Sequence, residues 1–485
     1  MKRVLPVIFT LILTAATLFS GEARPNFLFV MIDDMAPDAL YNDRFPFLKT
    51  PSFQRLADEG AVFDNMMVTT SLCSPSRASI LTGTYAHIHG VRYNEIQDPE
   101  PHLEQYPQAL QKVGYKTAQI GKWHMAHHAR PRPGFDYWLS FKGQGVYNDP
   151  ELNINGDVVK EKGYITDILT NKTIEFLSEN KDKPFCIQLW HKACHGPFTP
   201  AERHKDAAPD GTFQEPASWS IDFSDRPLWQ RRAKYGVHYK KWVASEGKPV
   251  PDYIPPGKWS EKNPTRLNML RCLLAVDEGL GRVMDLLAKQ GRLDDTVIIF
   301  MADNGYFFGE HRRGDKRLAY EESIRVPFAV RYPAMLKGGS RITGMVANID
   351  LGPTILELAG ATIPKTMQGE SFVPVMLGKA EGRIAPFFYE YFQEKYAPGI
   401  PTLLSIRTPE WKYISYPYES AEEGNIDELY HLKKDPNEIR NLIHSPEVAT
   451  QLKKMKLLLE EAKERYNYTE PAYKYEPPKG LRNSP

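Results

Sequence analysis

The chain has 485 residues, enough for one large α/β domain and a smaller one. Its 61 Lys and Arg offset 60 Asp and Glu, so no overall field marks nucleic acid or a charged membrane surface as its partner. Four Cys are too few for a disulfide scaffold. Met1-Lys2-Arg3, an apolar stretch from Val4 to Phe19 and Ser20-Gly21-Glu22-Ala23 form the pattern of a cleaved signal peptide over 1–23. No Cys closes it, so the expectation is an exported protein, periplasmic or secreted, without a membrane anchor. Pro25 to Ile32 is a continuous apolar run, expected as a central strand covered on both faces. Thr50, Pro51 and Gly60 predict a helix over 51–59 with Thr50 as its N-cap. Pro75 is placed at the first position of a helix whose mouth holds Cys73. Then come a helix over 103–113 stopping at Gly114, a strand over 115–120, a helix over 164–179 and a strand over 184–190. Asn263-Pro264 opens a long amphipathic helix ending near Gly291, and 296–302 is another apolar strand. This alternation predicts an α/β fold, a large, mostly parallel sheet flanked by helices over 24–370. Past 370 the pattern changes. Strands at 403–407 and 411–416 bracket a Thr408-Pro409-Glu410 turn, and 428–432 precedes a helix over 446–465. These predict a smaller C-terminal α+β subdomain, 371–485, with an antiparallel sheet and a tail over 466–485 on its surface.

Chemistry concentrates where strands end. The first apolar strand runs into Asp33-Asp34, and the strand at 296–302 runs into Asp303-Asn304-Gly305. Ligands in open α/β sheets bind at the carboxyl edge. Three carboxylates and one amide oxygen make a hard donor set suited to Ca²⁺ or Mg²⁺. Each segment taken alone is also an ordinary turn. Cys73-Ser74-Pro75-Ser76-Arg77 sets a reactive side chain at a helix mouth, where free N–H groups and a permanent cation favour an anion. The plainer alternative is a buried Cys ahead of an ordinary helix. Gly121-Lys122-Trp123-His124 and the run from His191 to Phe198, with His195, follow two further strands. Lys316 follows Asp303 closely enough to return to the same place, although its surroundings also suit the start of a salt-bridged helix.

In this order the motifs resemble the formylglycine sulfatases of the alkaline phosphatase superfamily, over nearly the whole chain after residue 24. The resemblance is to bacterial polysaccharide sulfatases, including the N-acetylglucosamine-6-sulfatase branch. It implies an alkaline phosphatase-like fold and an enzyme hydrolysing sulfate esters of a sulfated carbohydrate. It implies that a maturation enzyme oxidises Cys73 to formylglycine (3-oxoalanine), whose hydrate is the nucleophile. It implies Ca²⁺ held by Asp33, Asp34, Asp303, Asn304 and residue 73. Arg77, Lys122 and Lys316 are implied as the clamp on sulfate and formylglycine, His124 as the base and His195 as the acid. This chain departs from the family at Cys194, where a Pro or Ala often precedes the His. Two other readings stand beside it: a phosphomonoester or phosphonate hydrolase of the same superfamily, and an exported glycan-binding protein with a dead site.

Two features bear on substrate, and each has a plainer alternative. His127, His128, Arg130 and Arg132 crowd after His124; with His128 and Arg130 foremost they hold a second anionic group, or they form a solvated rim. The Pro-rich stretch 205–262, with Trp219, Trp229, Trp242 and Trp259, is an aromatic wall for neighbouring sugars or a packed surface loop.

Overall fold

The computed structural model describes residues 24–470 except 39–43, 95–96, 232–257, 384, 398 and 420–425. The expected signal peptide, Trp242 and residues 471–485 of the expected tail lie outside the described residues. The main sheet is built from β1 (Asn26–Ile32), β2 (Ala61–Met67), β3 (Lys116–Gly121), β4 (Tyr137–Ser140), β5 (Glu151–Ile154), β6 (Asp157–Lys160), β7 (Phe185–Trp190), β8 (Thr296–Ala302), β9 (Arg325–Val326), β10 (Phe328–Arg331) and β11 (Ser340–Ala347). Their order across the sheet is β11-β2-β10-β8-β1-β7-β3-β4-β5-β6, with β9 on β2. The centre, β8-β1-β7-β3-β4, is parallel, as are β2 and β11. Antiparallel pairing comes from β9 and β10 on one side and from β5 and β6 on the other.

Every residue of β1, β7 and β8 is buried, as their unbroken apolar runs require of strands covered on both faces. Because β8, β1, β7 and β3 lie side by side and point the same way, their carboxyl ends form one edge. Met31 and Gly121 both align with Trp190, and Ile32 aligns with Ala302. The segments carrying Asp33, Lys122, His195 and Asp303 therefore leave the sheet together.

Helices Pro51–Glu59, Ile165–Glu179 and Pro264–Lys289 cover the sheet. Asn263 caps the long helix through its side chain, which accepts from Arg266 N at 3.0 Å. The expected Thr50 cap is absent: its side chain makes no cap bond. Asp277, on the long helix, takes that place by accepting from Phe53 N at 2.8 Å. The helix expected over 103–113 is shorter, Tyr106–Lys112, opened by a capping box between Gln105 and Gln108.

A second, antiparallel sheet joins β12 (Phe387–Tyr391), β13 (Leu403–Arg407), β14 (Trp411–Ser415) and β15 (Glu428–His431) in that order. The helix Ala449–Arg465 buries Met455, Leu459 and Ala462 in the same core. Phe307, Leu318 and Tyr320 from the larger domain pack there too, whereas Phe372, Val373 and Met376 belong to the larger core. Among the described residues, no helix is long and apolar enough to cross a membrane.

Candidate active site

Asp33 and Asp34 follow β1, and Asp303 and Asn304 follow β8. Asp34 N donates to Asp303 Oδ1 at 3.2 Å, and Asn304 Nδ2 donates to Asp34 Oδ1 at 2.7 Å. Gly305 is required here: a Cβ would lie 2.2 Å from Glu322 O. The helix carrying the nucleophile candidate runs from Cys73 to Thr82, with extended Leu72 as its N-cap. Cys73 is therefore the first helical residue, and Pro75 sits two places later than expected, still in the turn where an N–H has no helical partner. Cys73 Sγ lies 3.3 Å from Asp33 Oδ1 and 3.1 Å from Lys316 Nζ. Donor atoms of Asp33, Asp34, Cys73 and Asp303 all fall within 4.8 Å of one another, and all four residues are buried.

Cations surround these carboxylates. Arg77 Nε and Nη2 donate to Asp303 Oδ2 at 2.9 and 2.8 Å, and its Nη1 donates to Lys122 O at 2.6 Å. Lys122 Nζ bonds Asp33 Oδ2, and Lys316 Nζ bonds Asp34 Oδ1. Gly121 lets the β3 chain pass this close to its neighbour: its φ is 118°, and a Cβ would lie 2.0 Å from Trp190 O. Burial raises the Asp33 carboxyl, but Lys122, His195, Arg77 and Lys316 outweigh it and hold the group well below its usual range. Burial, with Asp33 beside it, pushes the Cys73 thiol up.

A cavity of about 780 Å³ opens above this centre, and Asp34, His124, His195 and Lys316 line it. His195 Nδ1 donates to Gly196 O at 3.0 Å, which fixes the tautomer and leaves Nε2 facing Asp34 Oδ2 at 3.8 Å. His124 Nδ1 is 3.4 Å from Ser74 Oγ, next to Cys73 in the chain. Burial lowers both imidazoles, His124 well below its usual value with Lys122 adding to the shift.

The residues present suit a hard divalent cation. Three carboxylates converge with an amide whose oxygen, Asn304 Oδ1, is buried without a hydrogen-bond partner.

Sequence reasoning missed two contributors. Lys192, buried after β7, lies 4.7 Å above the Tyr147 ring and donates to Gly196 O at 3.2 Å, bracing the His195 segment. Burial, then Lys122, lowers Lys192 to about 8. Asn94 lines the cavity and accepts from Ser74 N at 3.0 Å. Lys192 stood in the quoted His191 run, unused; nothing local marks Asn94.

His128 and Arg130 are exposed and lie outside the cavity lining. Positive φ at His124 and Ala126, 62° and 55°, turns the chain so that neighbours in sequence part in space. Arg132 is a packing residue, its Nε 3.1 Å from both Asp98 oxygens and its guanidinium between the Trp123 and Trp138 rings at 5.7 and 5.6 Å. Among the described tryptophans of that stretch, Trp219 lines the cavity and is buried edge-on against Trp259, while Trp229 packs on Tyr416.

Comparison with known proteins adds the following. A family model described as sulfatase matches residues 25–361, and one described as the C-terminal part of N-sulphoglucosamine sulphohydrolase matches 309–465. An N-acetylglucosamine-6-O-sulfatase from Bacteroides thetaiotaomicron is 34% identical, across 92% of this chain and 88% of that protein. A solved structure in complex with its substrate D-glucosamine-2-N,6-O-disulfate superposes with a TM-score of 0.81 at 32% identity, covering 92% of this chain and 98% of the other. A phosphonate monoester hydrolase of Agrobacterium radiobacter shares the fold, with a TM-score of 0.70 at 22% identity over 91% and 96%.

Proposed function

The chain belongs to the sulfatase family of sulfuric ester hydrolases, and from that premise we propose that it removes a 6-O-sulfate from a glucosamine-type sugar outside the cytoplasm. The observation that carries the reading is the meeting of Cys73, Lys316 and the Asp33-Asp34-Asp303 carboxylates directly beneath a cavity whose wall bears two histidines. The 6-sulfatase relative and the glucosamine disulfate bound in the superposed structure support the choice of sugar. The 1–23 signal pattern supports export to the periplasm or medium.

In this reading Asp33, Asp34, Asp303 and Asn304 hold Ca²⁺, with residue 73 beside them. Bound there, the ion would supply fixed positive charge to the sulfuryl oxygens, and the hydrate of the formylglycine that a maturation enzyme makes from Cys73 would supply the nucleophilic hydroxyl. Lys316, in contact with residue 73, and Lys122 and Arg77 behind it present ammonium and guanidinium charge where negative charge shifts in the transition state. They are held by buried partners, so they need no reorganisation at the moment of reaction. His195, once it carries a second proton at Nε2, delivers that proton to the departing sugar oxygen while Gly196 O holds its Nδ1–H. His124, beside Ser74, takes a proton from the hydroxyl at residue 73.

The experiment is sulfate release from a panel of glucosamine and N-acetylglucosamine bearing sulfate at N2, O3 or O6. Preference for the 6-O-ester is expected; preference for another position, or for aryl sulfates over every sugar, overturns the substrate assignment. The complete set of charged side chains stands against a dead binding protein.

A further inference from the structure

Outside this centre, a second buried group of ionisable side chains lies where the larger domain meets the smaller sheet. His311 comes from the turn between Asn304 and Lys316, Glu322 from the short helix Glu321–Ile324, and Glu438 from the loop after β15. One ligand atom from each lies within 4.8 Å of the other two. His311 has no exposed surface, and neither ring nitrogen has a hydrogen-bond partner. Its ring is fixed by stacking on Tyr320, centroid to centroid 4.0 Å and 10° from parallel, and by Ser218 Oγ, which accepts from its backbone N at 2.9 Å. Its Nε2 is 3.6 Å from Glu322 Oε2, itself buried and without a hydrogen bond.

Lys412 Nζ lies 2.8 Å from Glu321 Oε1 and 2.7 Å from Glu438 Oε1, and Arg407 donates to Glu321 at 3.1 and 3.0 Å. These two cations serve Glu321 and Glu438. No Lys or Arg among the described residues pairs with Glu322. Burial pushes Glu322 up to about 7 and Glu438 up to about 8, against the opposing pull of Lys412 on both and of Arg44 on Glu322. A buried imidazole with both nitrogens idle is costly, since each unmatched polar group loses its water for nothing in return. Ligand atoms converging from three chain segments, an imidazole nitrogen with two carboxylates, are the donor set of zinc-class cations rather than of Ca²⁺.

We propose that His311, Glu322 and Glu438 form a second metal site, structural in role, that takes a divalent transition cation of the zinc class. The site is separate from the Asp33-Asp34-Asp303 centre and shares no residue with it. It ties the segment that carries Lys316 to the loop following β15, and so fastens the smaller sheet to the catalytic edge. Lys412 Nζ keeps its contacts with Glu438 Oε1 and Glu321 Oε1, and Glu438 Oε2 accepts from Glu321 N at 2.8 Å.

The test uses the full-length protein, saturated with Ca²⁺ and carrying Cys73→Ser so that no thiol competes at the first centre. Co²⁺ is the probe and Zn²⁺ the competitor. The expected result is about one equivalent of Co²⁺ retained per chain with visible absorption of a low-coordinate site, displaced by Zn²⁺ but not by excess Ca²⁺. Glu322→Gln and His311→Gln should each bring retained Co²⁺ to background with unchanged far-ultraviolet circular dichroism, and should abolish the rise in Tm that Zn²⁺ gives the parent. Equal Co²⁺ retention in parent and variants overturns the proposal, as does no retention in the parent. If neither variant folds, proton NMR of the Co²⁺-loaded parent decides: a strongly shifted, exchangeable imidazole N–H is expected, and its absence means that the two carboxylates merely share protons beside His311.

Discussion

Lys316→Met removes the ammonium that, among the described residues, touches both Cys73 Sγ and the Asp34 carboxylate. Lys316 is buried, its Nζ 3.1 Å from Cys73 Sγ and bonded to Asp34 Oδ1. Met keeps the length and the apolar stem, so the cavity wall stays filled. Loss of one preorganised donor in a water-poor site costs about 10²–10³-fold in kcat, or about 2.7–4 kcal/mol. Since the interaction strengthens as charge moves, kcat should fall more than KM rises. There is a second effect without metal. The Asp34 carboxylate then keeps Asn304 Nδ2, at 2.7 Å, and the more distant His195 Nε2, at 3.8 Å, so a buried carboxylate loses its cation. Breaking such a pair costs about 3–5 kcal/mol, and the Asn304 bond places this case at the lower end. Steady-state kinetics on a 6-O-sulfated glucosamine, with thermal unfolding in EDTA and in Ca²⁺, reads both effects. The expected pattern is a large kcat defect in Ca²⁺ together with a Tm deficit that is wide in EDTA and narrow in Ca²⁺. A variant within tenfold of wild-type kcat, or one equally destabilised in both buffers, would refute the assignment of Lys316 to the charge clamp.

Exhaustive chelation should abolish turnover, and Asp303→Ala should do the same while keeping the fold; retained activity in either case counts against the metal assignment. Arg130→Ala should leave kcat/KM within about threefold, because surface substitutions outside the cavity change little. Arg132→Ala, in contrast, should lower stability by about 1–3 kcal/mol through its Asp98 and tryptophan contacts, seen by urea unfolding. Asp277 has a pH signature: burial raises it to about 6 despite the bond from Phe53 N. A raised carboxyl favours folding below its unfolded value, near 4, and that contribution is lost as pH rises through 6. Asp277→Asn, which can still accept from Phe53 N, should therefore match wild type at pH 4 and exceed it by about 1–3 kcal/mol at pH 8. Equal stability at both values would show that the ionised form is not penalised.

Much of this site was legible because its parts follow strands. β1 and β8 are unbroken apolar runs ending in carboxylates, and the Thr408-Pro409-Glu410 turn marked β13 and β14 with almost no error. What escaped depends on contacts distant in sequence. The cap of the Pro51–Glu59 helix is Asp277, which no local pattern announces. Pro75 marked the helix but not its first residue, since any place in the first turn tolerates the missing N–H. His128 and Arg130 lie close to His124 in sequence but outside the cavity lining, after two left-handed residues that turn the chain. His311 and Glu322 gave no signal: only the fold brings Glu438 to them.

The central claim is that this centre hydrolyses a sulfate ester through a converted Cys73. The direct measurement pairs N-acetylglucosamine-6-sulfate with N-acetylglucosamine-6-phosphate, assayed on one preparation made alongside a maturation enzyme, with the Cys73 peptide quantified by mass spectrometry. The account predicts sulfate release that scales with the fraction of Cys73 converted and far exceeds phosphate release, and no release by Cys73→Ala. Phosphate turnover above sulfate turnover, or activity independent of conversion, would contradict it.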